Sequence, residues 1–450
     1  MHCRHALKIN SRCTIVGVYK KGRVAESSRR KIRKESDVIG REIEGKVNNM
    51  GAPGNDDAVQ IQKGKKAGDP HIVTVNCPDR TGLACDICRI IFEFELRIVK
   101  GDVSTDGKWC LLVFWLAPHT GSFMRWPNLR DRLLLACPSS CSVAFYLNQP
   151  PPPPVTSPVY LLKILCVDRK GLLHDVTTVL CELELTIQRV KVTKTPDDTV
   201  LDLFFVTDNL DELHTQKRQE ETLGKVKSVL CGTCSCEVGL AECQRTEDTC
   251  TLSPSVSQEL LKSEDERESK VFEMKVDNYL SPVHTLLQIK CLDHKGMFYD
   301  IMRMMKDFDI KIAHGRFSKE TRGVRDLDLF VQRKGGGKFV DAGTQRWLCG
   351  SLEREVVSPV RVAVVNRGPD TELLVANPVE VSGKGRPRVL YDVTRALKVL
   401  GICVFSAEIG RFSEASREWE VYRFLLEDCE RDLLKDTVVR TVRSMLMGWS

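Results

Sequence analysis

A four-residue phrase, Asp-x-x-Gly, recurs along the chain in one local context. It stands at Asp79–Gly82, Asp168–Gly171 and Asp293–Gly296. Each copy follows an alternating apolar run, the pattern of a half-buried strand, and precedes apolar residues at helical spacing. The phrase therefore predicts a strand-to-helix turn, in which glycine can adopt a positive φ and admit another group close to the backbone. Such recurrence indicates a chain built from repeats of one supersecondary unit.

The sequence around the first turn predicts a whole unit. Its elements in chain order are strand His71–Cys77, a helix from Leu83, strands Leu96–Ser104 and Lys108–Leu116, a helix near Arg125–Ala136 and strand Ser142–Leu147. Between the two central strands, Thr105-Asp106-Gly107 suits a hairpin turn. The order βαββαβ predicts an α+β fold of four tandem ferredoxin-like units, each with both helices on one face of an antiparallel sheet.

The recurrence of these elements divides the 450 residues into segments. They are a basic extension at 1–69 that is expected to be disordered, repeat 1 at 70–148, repeat 2 at 158–240, a linker at 241–281, repeat 3 at 282–366 and a degenerate repeat 4 at 369–450. We expect strand Val360–Asn366 to close repeat 3, and repeat 4 to lack a closing strand. Its turn, Gly385–Arg388, carries Arg388 where the others have glycine, so we expect repeat 4 to be structural or altered in its ligand preference.

The charge of the chain is uneven. Residues 1–49 hold 13 Lys and Arg against 5 Asp and Glu, including the cluster Arg29–Lys34, whereas the other residues are close to neutral. A broad nucleic-acid-binding surface is therefore not expected. The extension is read as a nuclear-localisation patch, a nucleic-acid-binding tail or an inert segment, and Met50 offers a second start that would remove it.

The hydropathy and the cysteines of the sequence indicate in which cellular compartment the protein is expected. No apolar run reaches the length of a membrane span, and no N-terminal apolar segment marks a secretory signal. We therefore expect the 19 cysteines to be free and mostly buried, in the cytoplasm with the nucleus as the alternative. The run Cys231-x-x-Cys234-x-Cys236 could bind zinc or an iron–sulfur cluster, but Cys234 and Cys236 fall on a predicted strand, and we expect neither metal nor cofactor.

No catalytic constellation stands out. The sequence has no G-x-S-x-G elbow, no H-E-x-x-H and no phosphate-binding loop. Asp202, Asp326 and Asp328 alternate along the third strands and are interpreted as exposed-face residues. The sequence therefore predicts a protein that is not an enzyme.

Four such units, with the Asp-x-x-Gly turn between the first strand and first helix, resemble the ACT domain. The set resembles the plant ACT-domain repeat proteins over about residues 70–450, and these resemble the sensing units of a bacterial uridylyltransferase that reads glutamine. The resemblance implies ligand binding where the turn meets a neighbouring unit. The residues it implies are the Asp and Gly of each turn and the residue that follows: Asp79, Gly82, Leu83, Asp168, Gly171, Leu172, Asp293, Gly296 and Met297.

The chemistry of a free amino acid suits such a turn. The unpaired N–H groups of a helix N-terminus can bind a carboxylate, and an aspartate can bind the ammonium. Two alternatives stay open: the aspartates cap helices, and the glycines only serve the turn. Arg80 and Arg169 are either solvated or contact the ligand carboxylate, and His174 is either a ligand contact or a satisfied helical histidine.

The expected function is regulatory. We expect a non-catalytic protein that senses a free amino acid, glutamine-like as the first candidate, and reports it to a metabolic enzyme or signalling protein. Four units can pair within one chain, so the protein is expected to be either a monomer or a homodimer. No membrane or nucleic-acid partner is expected. The alternative is a protein-interaction scaffold that binds no small molecule.

Overall fold

A computed structural model describes most of the chain beyond the N-terminal extension. The described residues are 58–66, 68–119, 125–138, 157–230, 234–241, 256–257, 260, 271–367, 370–414, 417–427 and 432–449. They form two compact modules, each made of two repeats that are not adjacent in sequence. We call them the 1/3 module, from repeats 1 and 3, and the 2/4 module, from repeats 2 and 4.

The 1/3 module is one eight-stranded antiparallel sheet with helices on it. Repeat 1 supplies β1 (Val59–Gln62), β2 (His71–Pro78), α1 (Leu83–Glu93), β3 (Leu96–Thr105), β4 (Trp109–Pro118) and α2 (Trp126–Ala136). Repeat 3 supplies β9 (Phe272–Asp277), β10 (Thr285–Leu292), α5 (Met297–Asp307), β11 (Ile310–Phe317), β12 (Val324–Arg333) and α6 (Ala342–Val357). The strand order is β1-β2-β4-β3-β11-β12-β10-β9, so β3 and β11 join the two repeats side by side.

The 2/4 module has the same plan. Repeat 2 supplies β5 (Tyr160–Val167), α3 (Leu172–Glu182), β6 (Leu185–Lys194), β7 (Thr199–Asp208), α4 (Gln216–Val229) and β8 (Ser235–Leu240). Repeat 4 supplies β13 (Arg361–Arg367), β14 (Asp370–Pro378), α7 (Val389–Leu400), β15 (Val404–Glu414), β16 (Arg417–Leu426) and α8 (Asp432–Met447). The order β13-β14-β16-β15-β6-β7-β5-β8 again joins the repeats through the strands that follow their first helices, here β15 and β6.

The amphipathic patterns explain why each sheet has one packed face. Along β7 the buried residues alternate with half-buried ones, and the helices that follow the turns bury most of their first two turns. Each module therefore has a continuous apolar core between helices and sheet. The α+β, ferredoxin-like fold predicted from the sequence is confirmed.

The edge strands differ from the prediction. Among the residues that the structure describes, repeat 2 alone takes its edge strand, β8, after its second helix; repeats 1, 3 and 4 have edge strands from the preceding chain, which are β1, β9 and β13. The strand predicted at Val360–Asn366 exists, but it pairs with β14 of repeat 4 and does not close repeat 3. β1 lies within the extension at 1–69 that was expected to be disordered, and β9 lies within the stretch that was interpreted as a linker, so both bounds were wrong. The same central strand can pair with an edge strand from the chain before the repeat or from the chain after it. The hydrophobic pattern of an edge strand therefore does not show which repeat the strand joins.

Several sequence expectations fall outside the described residues: strand Ser142–Leu147, the basic extension 1–49 and Cys231. Cys234 lies just before β8 and Cys236 within it, and both are free thiols. Cys349 is disulfide-bonded, against the expectation of free thiols. Within the parts of the chain that the structure describes, no helix is long and apolar enough to span a membrane.

Candidate functional site

The three glycines of the Asp-x-x-Gly turns adopt the same backbone conformation. Gly82, Gly171 and Gly296 have φ of 80°, 77° and 79° and stand at the N-caps of α1, α3 and α5. None of these helices has a side-chain cap. The alternative in which the turn aspartates cap the helices is therefore wrong. The first N–H group of each helix instead donates to the carbonyl two residues before the glycine.

The first two glycines also admit a lysine from the paired repeat. A Cβ at Gly171 would lie 2.6 Å from Cγ of Lys398, and one at Gly82 would lie 2.8 Å from Cδ of Lys306. Both lysines then form ion pairs with an aspartate in the helix beyond the turn: Lys398 Nζ with Asp175 at 2.5 Å, and Lys306 Nζ with Asp86 at 3.2 Å. Glycine is needed here for its positive φ and for this close approach.

Arg80 and Arg169 were expected to be solvated or to contact the ligand carboxylate. In the structure each forms an ion pair and a hydrogen bond within its own repeat. The guanidinium of Arg169 lies 2.5 Å from an oxygen of Asp175 and donates to the carbonyl of Val229 at 2.9 Å. Arg80 makes the same pair of contacts in repeat 1, with Asp86 and the carbonyl of Ala136. Each arginine links the start of the first helix to the end of the second.

The first turn has a neutral partner for its aspartate. Asp79 accepts a hydrogen bond from the hydroxyl of Thr105 at 2.7 Å, and burial raises the pKa of Asp79. Leu83, the residue after the glycine, is buried in the core.

The third turn is filled by a cation from its own repeat. Arg325, only 1% exposed, donates from Nε to Asp293 at 2.6 Å and from Nη1 to the carbonyl of Val99 at 2.8 Å. Its guanidinium lies 5.0 Å from the ring centroid of Phe298. Arg97 adds a second cation, 2.6 Å from Asp293. A guanidinium of the protein thus satisfies the carboxylate that was predicted to bind a ligand.

The second turn borders an open cleft between repeats 2 and 4. About 410 Å³ of space lies between the atoms of the cleft, a volume that includes open solvent at its mouth. Its walls come from the turn, the start of α3, strands β6 and β7, the end of α7 and the start of β15. They are Asp168, Arg169, Gly171, Leu172, Leu173, His174, Val192, Val200, Asp202, Thr394, Leu397, Lys398, Ile402, Cys403 and Val404.

Asp168 at the mouth of this cleft is already ion-paired. Nζ of Lys194 lies 3.3 Å from Asp168 and 2.9 Å from Glu427. Asp168, Glu427 and Cys403 are close enough to form a metal-binding group, but the lysine ammonium lies against both carboxylates. This group is therefore an ion-pair cluster, because a bound cation would have to displace Lys194.

Asp202 is the cleft residue that the sequence interpretation placed wrongly. It was expected on the exposed face of its strand, but it is 1% exposed and lies in the core-facing row of β7 between Val200 and Phe204. Burial, followed by the negative charge of Asp168, raises the pKa of Asp202 to about 7. Among the residues that the structure describes, neither of its carboxylate oxygens has a hydrogen-bond partner.

The equivalent positions in repeats 1 and 3 are apolar. Asp202 pairs with Ile164, four residues before the aspartate of its turn. The residues at the same place in the other ladders are Leu112 and Leu327, both buried. The parity of Val200 and Phe204 could have revealed from the sequence that Asp202 faces the core.

His174 is a satisfied buried histidine on the helix side of the cleft. Its Nδ1 lies 3.2 Å from the hydroxyl of Thr394 on α7, and its Nε2 lies 3.4 Å from that of Thr178. Burial, with the charge of Lys398 next, lowers the pKa of His174 to about 4, so the ring is neutral near pH 7. It links α3 to α7 across the cleft.

The degenerate fourth turn keeps the conformation without the glycine. Arg388 stands at the N-cap of α7 with φ of 66°, and its guanidinium lies 4.1 Å from the ring centroid of Tyr391. Arg388 thus stacks on Tyr391 while it adopts a positive φ, a backbone conformation that is unfavourable for a residue with a Cβ.

Family models match all four repeats. Residues 61–138 match "ACT domain-containing protein ACR10, N-terminal", 160–224 match "ACT domain", 273–370 match "ACR9-like, ACT-like domain" and 371–448 match "ACT domain-containing protein ACR9, C-terminal".

Whole-chain relatives agree with these matches. The ACT domain-containing protein ACR9 of Arabidopsis thaliana is 53% identical over 88% of this chain and 99% of its own length. The ACT domain-containing protein ACR10 of the same plant is 44% identical over the same shares. A bifunctional uridylyltransferase/uridylyl-removing enzyme of Azospirillum brasilense is 28% identical over 29% of this chain and 16% of its own.

Proposed function

The chain belongs to the plant family of proteins built from tandem ACT domains, and from this membership we propose that it is a non-catalytic regulatory protein that binds a free amino acid. The observation that carries the proposal is the open cleft at the second Asp-x-x-Gly turn. The aspartates of all three turns already have protein partners, which are Thr105, Lys194 and Arg325, so the cleft is what sets the second turn apart, and we propose that the first and third turns do not bind.

The start of α3 supplies the anion-binding element. Gly171 stands at the N-cap of α3 and has no side chain, and we propose that the N–H groups of Leu173 and His174 at the start of this helix bind the ligand carboxylate. Apolar residues from both repeats, among them Val192 and Ile402, can pack against the ligand side chain. We keep glutamine as the first candidate, because the repeats resemble the glutamine-reading units of a bacterial uridylyltransferase and an enzyme of that name is similar to part of this chain.

The proposal is tested by thermal unfolding of the full chain against a panel of free amino acids. A ligand at about 100 times its dissociation constant should stabilise the 2/4 module by about 2.7 kcal/mol. The modules can unfold separately, so each transition is followed on its own.

Gly171→Val should abolish this stabilisation, because valine is strained at φ of 77° and its side chain collides with Lys398. Gly82→Val is the matched control: it meets the same strain and the stem of Lys306, but in the 1/3 module, and should leave the ligand response intact. A panel in which no amino acid moves either transition would refute the proposal.

A protein-interaction scaffold is the second candidate. Leu165, Val167 and Leu240 lie on two neighbouring strands of repeat 2 and are 42%, 56% and 67% exposed. Such residues suit docking of a partner such as a metabolic enzyme or signalling protein. Capture of a partner that is indifferent to added amino acids would favour this function, whereas capture that changes with an amino acid would favour the sensor.

A further inference from the structure

Asp202 is the exception to a pattern of internal pairing in the cleft. Arg169 and Lys398 both pair with Asp175, and Lys194 pairs with Asp168. Asp202 is buried, and its two oxygens have no hydrogen-bond partner in the described part of the chain. When it is ionised, it adds one negative charge to the floor of the cleft that no neighbouring side chain neutralises by direct contact.

The fold itself does not require a carboxylate there. Leu112 and Leu327 occupy the same ladder position in repeats 1 and 3 and pack into the core. Burying a carboxylate without a partner is unfavourable, and a ligand with a complementary group would remove that cost. Asp202 is among the residues that line the cleft, so a ligand bound there would lie next to this carboxylate.

We infer that Asp202 binds a cationic nitrogen of the ligand and makes that nitrogen a condition of binding. The inference deepens the proposed function and rests on it for the location of the ligand. In this arrangement the carboxylate of the ligand lies at the N-terminus of α3, and the cationic nitrogen of the ligand reaches Asp202 on the floor of the cleft. The same chemistry is available from an α-ammonium group or from a basic side chain.

The experiment compares probes that differ in these groups, by titration of the full chain. The probes are the free amino acids, N-acetyl-L-glutamine and N-acetyl-L-arginine, which lack the α-ammonium, and agmatine and methylammonium, which lack the carboxylate. The chain is used as wild type, Asp202→Asn and Asp202→Leu. Asp326→Asn is the matched control, because Asp326 is an exposed carboxylate on the equivalent strand of repeat 3.

We expect both Asp202 variants to bind the active amino acid about 10- to 100-fold more weakly than wild type, the range for losing a charge-assisted hydrogen bond. Asp326→Asn should bind as wild type does. If N-acetylation of a neutral amino acid removes binding, the nitrogen is the α-ammonium. If only basic amino acids and agmatine bind, it is the side-chain nitrogen.

The remaining outcomes separate the inference from the proposed function. Amino-acid binding that is equally tight in Asp202→Leu overturns the inference and leaves the proposed function in place. Binding of agmatine or methylammonium that depends on Asp202, without binding of any amino acid, overturns the proposed function and keeps the inference. Binding of none of these probes overturns both.

Discussion

Asp202→Leu is expected to raise the free energy of unfolding of the ligand-free 2/4 module by about 4 kcal/mol at pH 8. The cause is the carboxylate that the variant removes, whose pKa burial raises from 3.8 to about 7 in the folded state. Leucine is the residue that repeats 1 and 3 carry at this place, so the cleft floor can accommodate it. A variant that weakens ligand binding should therefore stabilise the protein without ligand.

The pH dependence follows from the sign of this shift. Below about pH 4, Asp202 is protonated in both the folded and unfolded states, and the variant gains little. Between pH 4 and 7 the unfolded wild type releases this proton and the folded wild type keeps it, so wild-type stability from this group is lost as pH rises. The advantage of the variant should grow through this window and level off above about pH 7.

Other ionisable groups lie near Asp202 in the same module. They are Asp168, Arg169, His174, Lys194, Lys398 and Cys403. His174, whose pKa is lowered, works in the opposite direction and loses wild-type stability as pH falls from about 6.5 to 4. Comparing variant and wild type at each pH cancels this contribution to first order. Urea unfolding at several pH values measures the difference, and a gain that does not change between pH 4 and 8 would contradict this account of Asp202.

Asp293→Ala is expected to destabilise the 1/3 module by about 3–5 kcal/mol, the cost of leaving one partner of a buried ion pair alone. The side chains of Arg325 and Asp293 are 1% and 5% exposed, so the guanidinium cannot turn to solvent when the carboxylate is removed. Its remaining hydrogen bonds to the carbonyls of Val99 and Ser318 do not neutralise its charge. Chemical unfolding, with the 1/3 transition followed separately, measures the loss.

Asp79→Ala is the matched control in the same module. Asp79 stands at the same place in its turn but accepts from a neutral hydroxyl, so its loss should cost only about 1 kcal/mol. The double variant Asp293→Leu, Arg325→Met removes both buried charges and should recover most of the stability. Equal losses in Asp293→Ala and Asp79→Ala would show that the third turn is not filled by an internal cation as described.

The local structure was readable from the sequence because its signals are local. An alternating run, an Asp-x-x-Gly phrase and a helical apolar pattern are contiguous, so they predicted the strands and helices around Gly82, Gly171 and Gly296. The repeat to which an edge strand belongs was not readable, since pairing of β13 with β14 depends on the path of the chain between repeats. The pairing of repeat 1 with 3 and of repeat 2 with 4 is equally non-local.

In the candidate site, too, the local features were predicted from the sequence and the non-local ones were not. Sequence reasoning found the turn residues, which remain predicted ligand contacts, but treated the three turns as alike. The turns differ in the residues of the neighbouring strand, which pairs with the strand before each turn. These residues are Leu112 in repeat 1, Asp202 in repeat 2 and Arg325 in repeat 3. Asp202 was misplaced because its neighbours in sequence suggested an exposed row, whereas its parity with Phe204 places it in the core.

The most direct test of the central claim is the number of amino acid molecules that one chain binds. Equilibrium dialysis of the full chain against labelled L-glutamine, and then against each other proteinogenic amino acid, gives this number. The account predicts one molecule per chain for the active amino acid, and none for Gly171→Val. Two or three molecules per chain, or one that persists in Gly171→Val, would contradict a single site in the cleft between repeats 2 and 4.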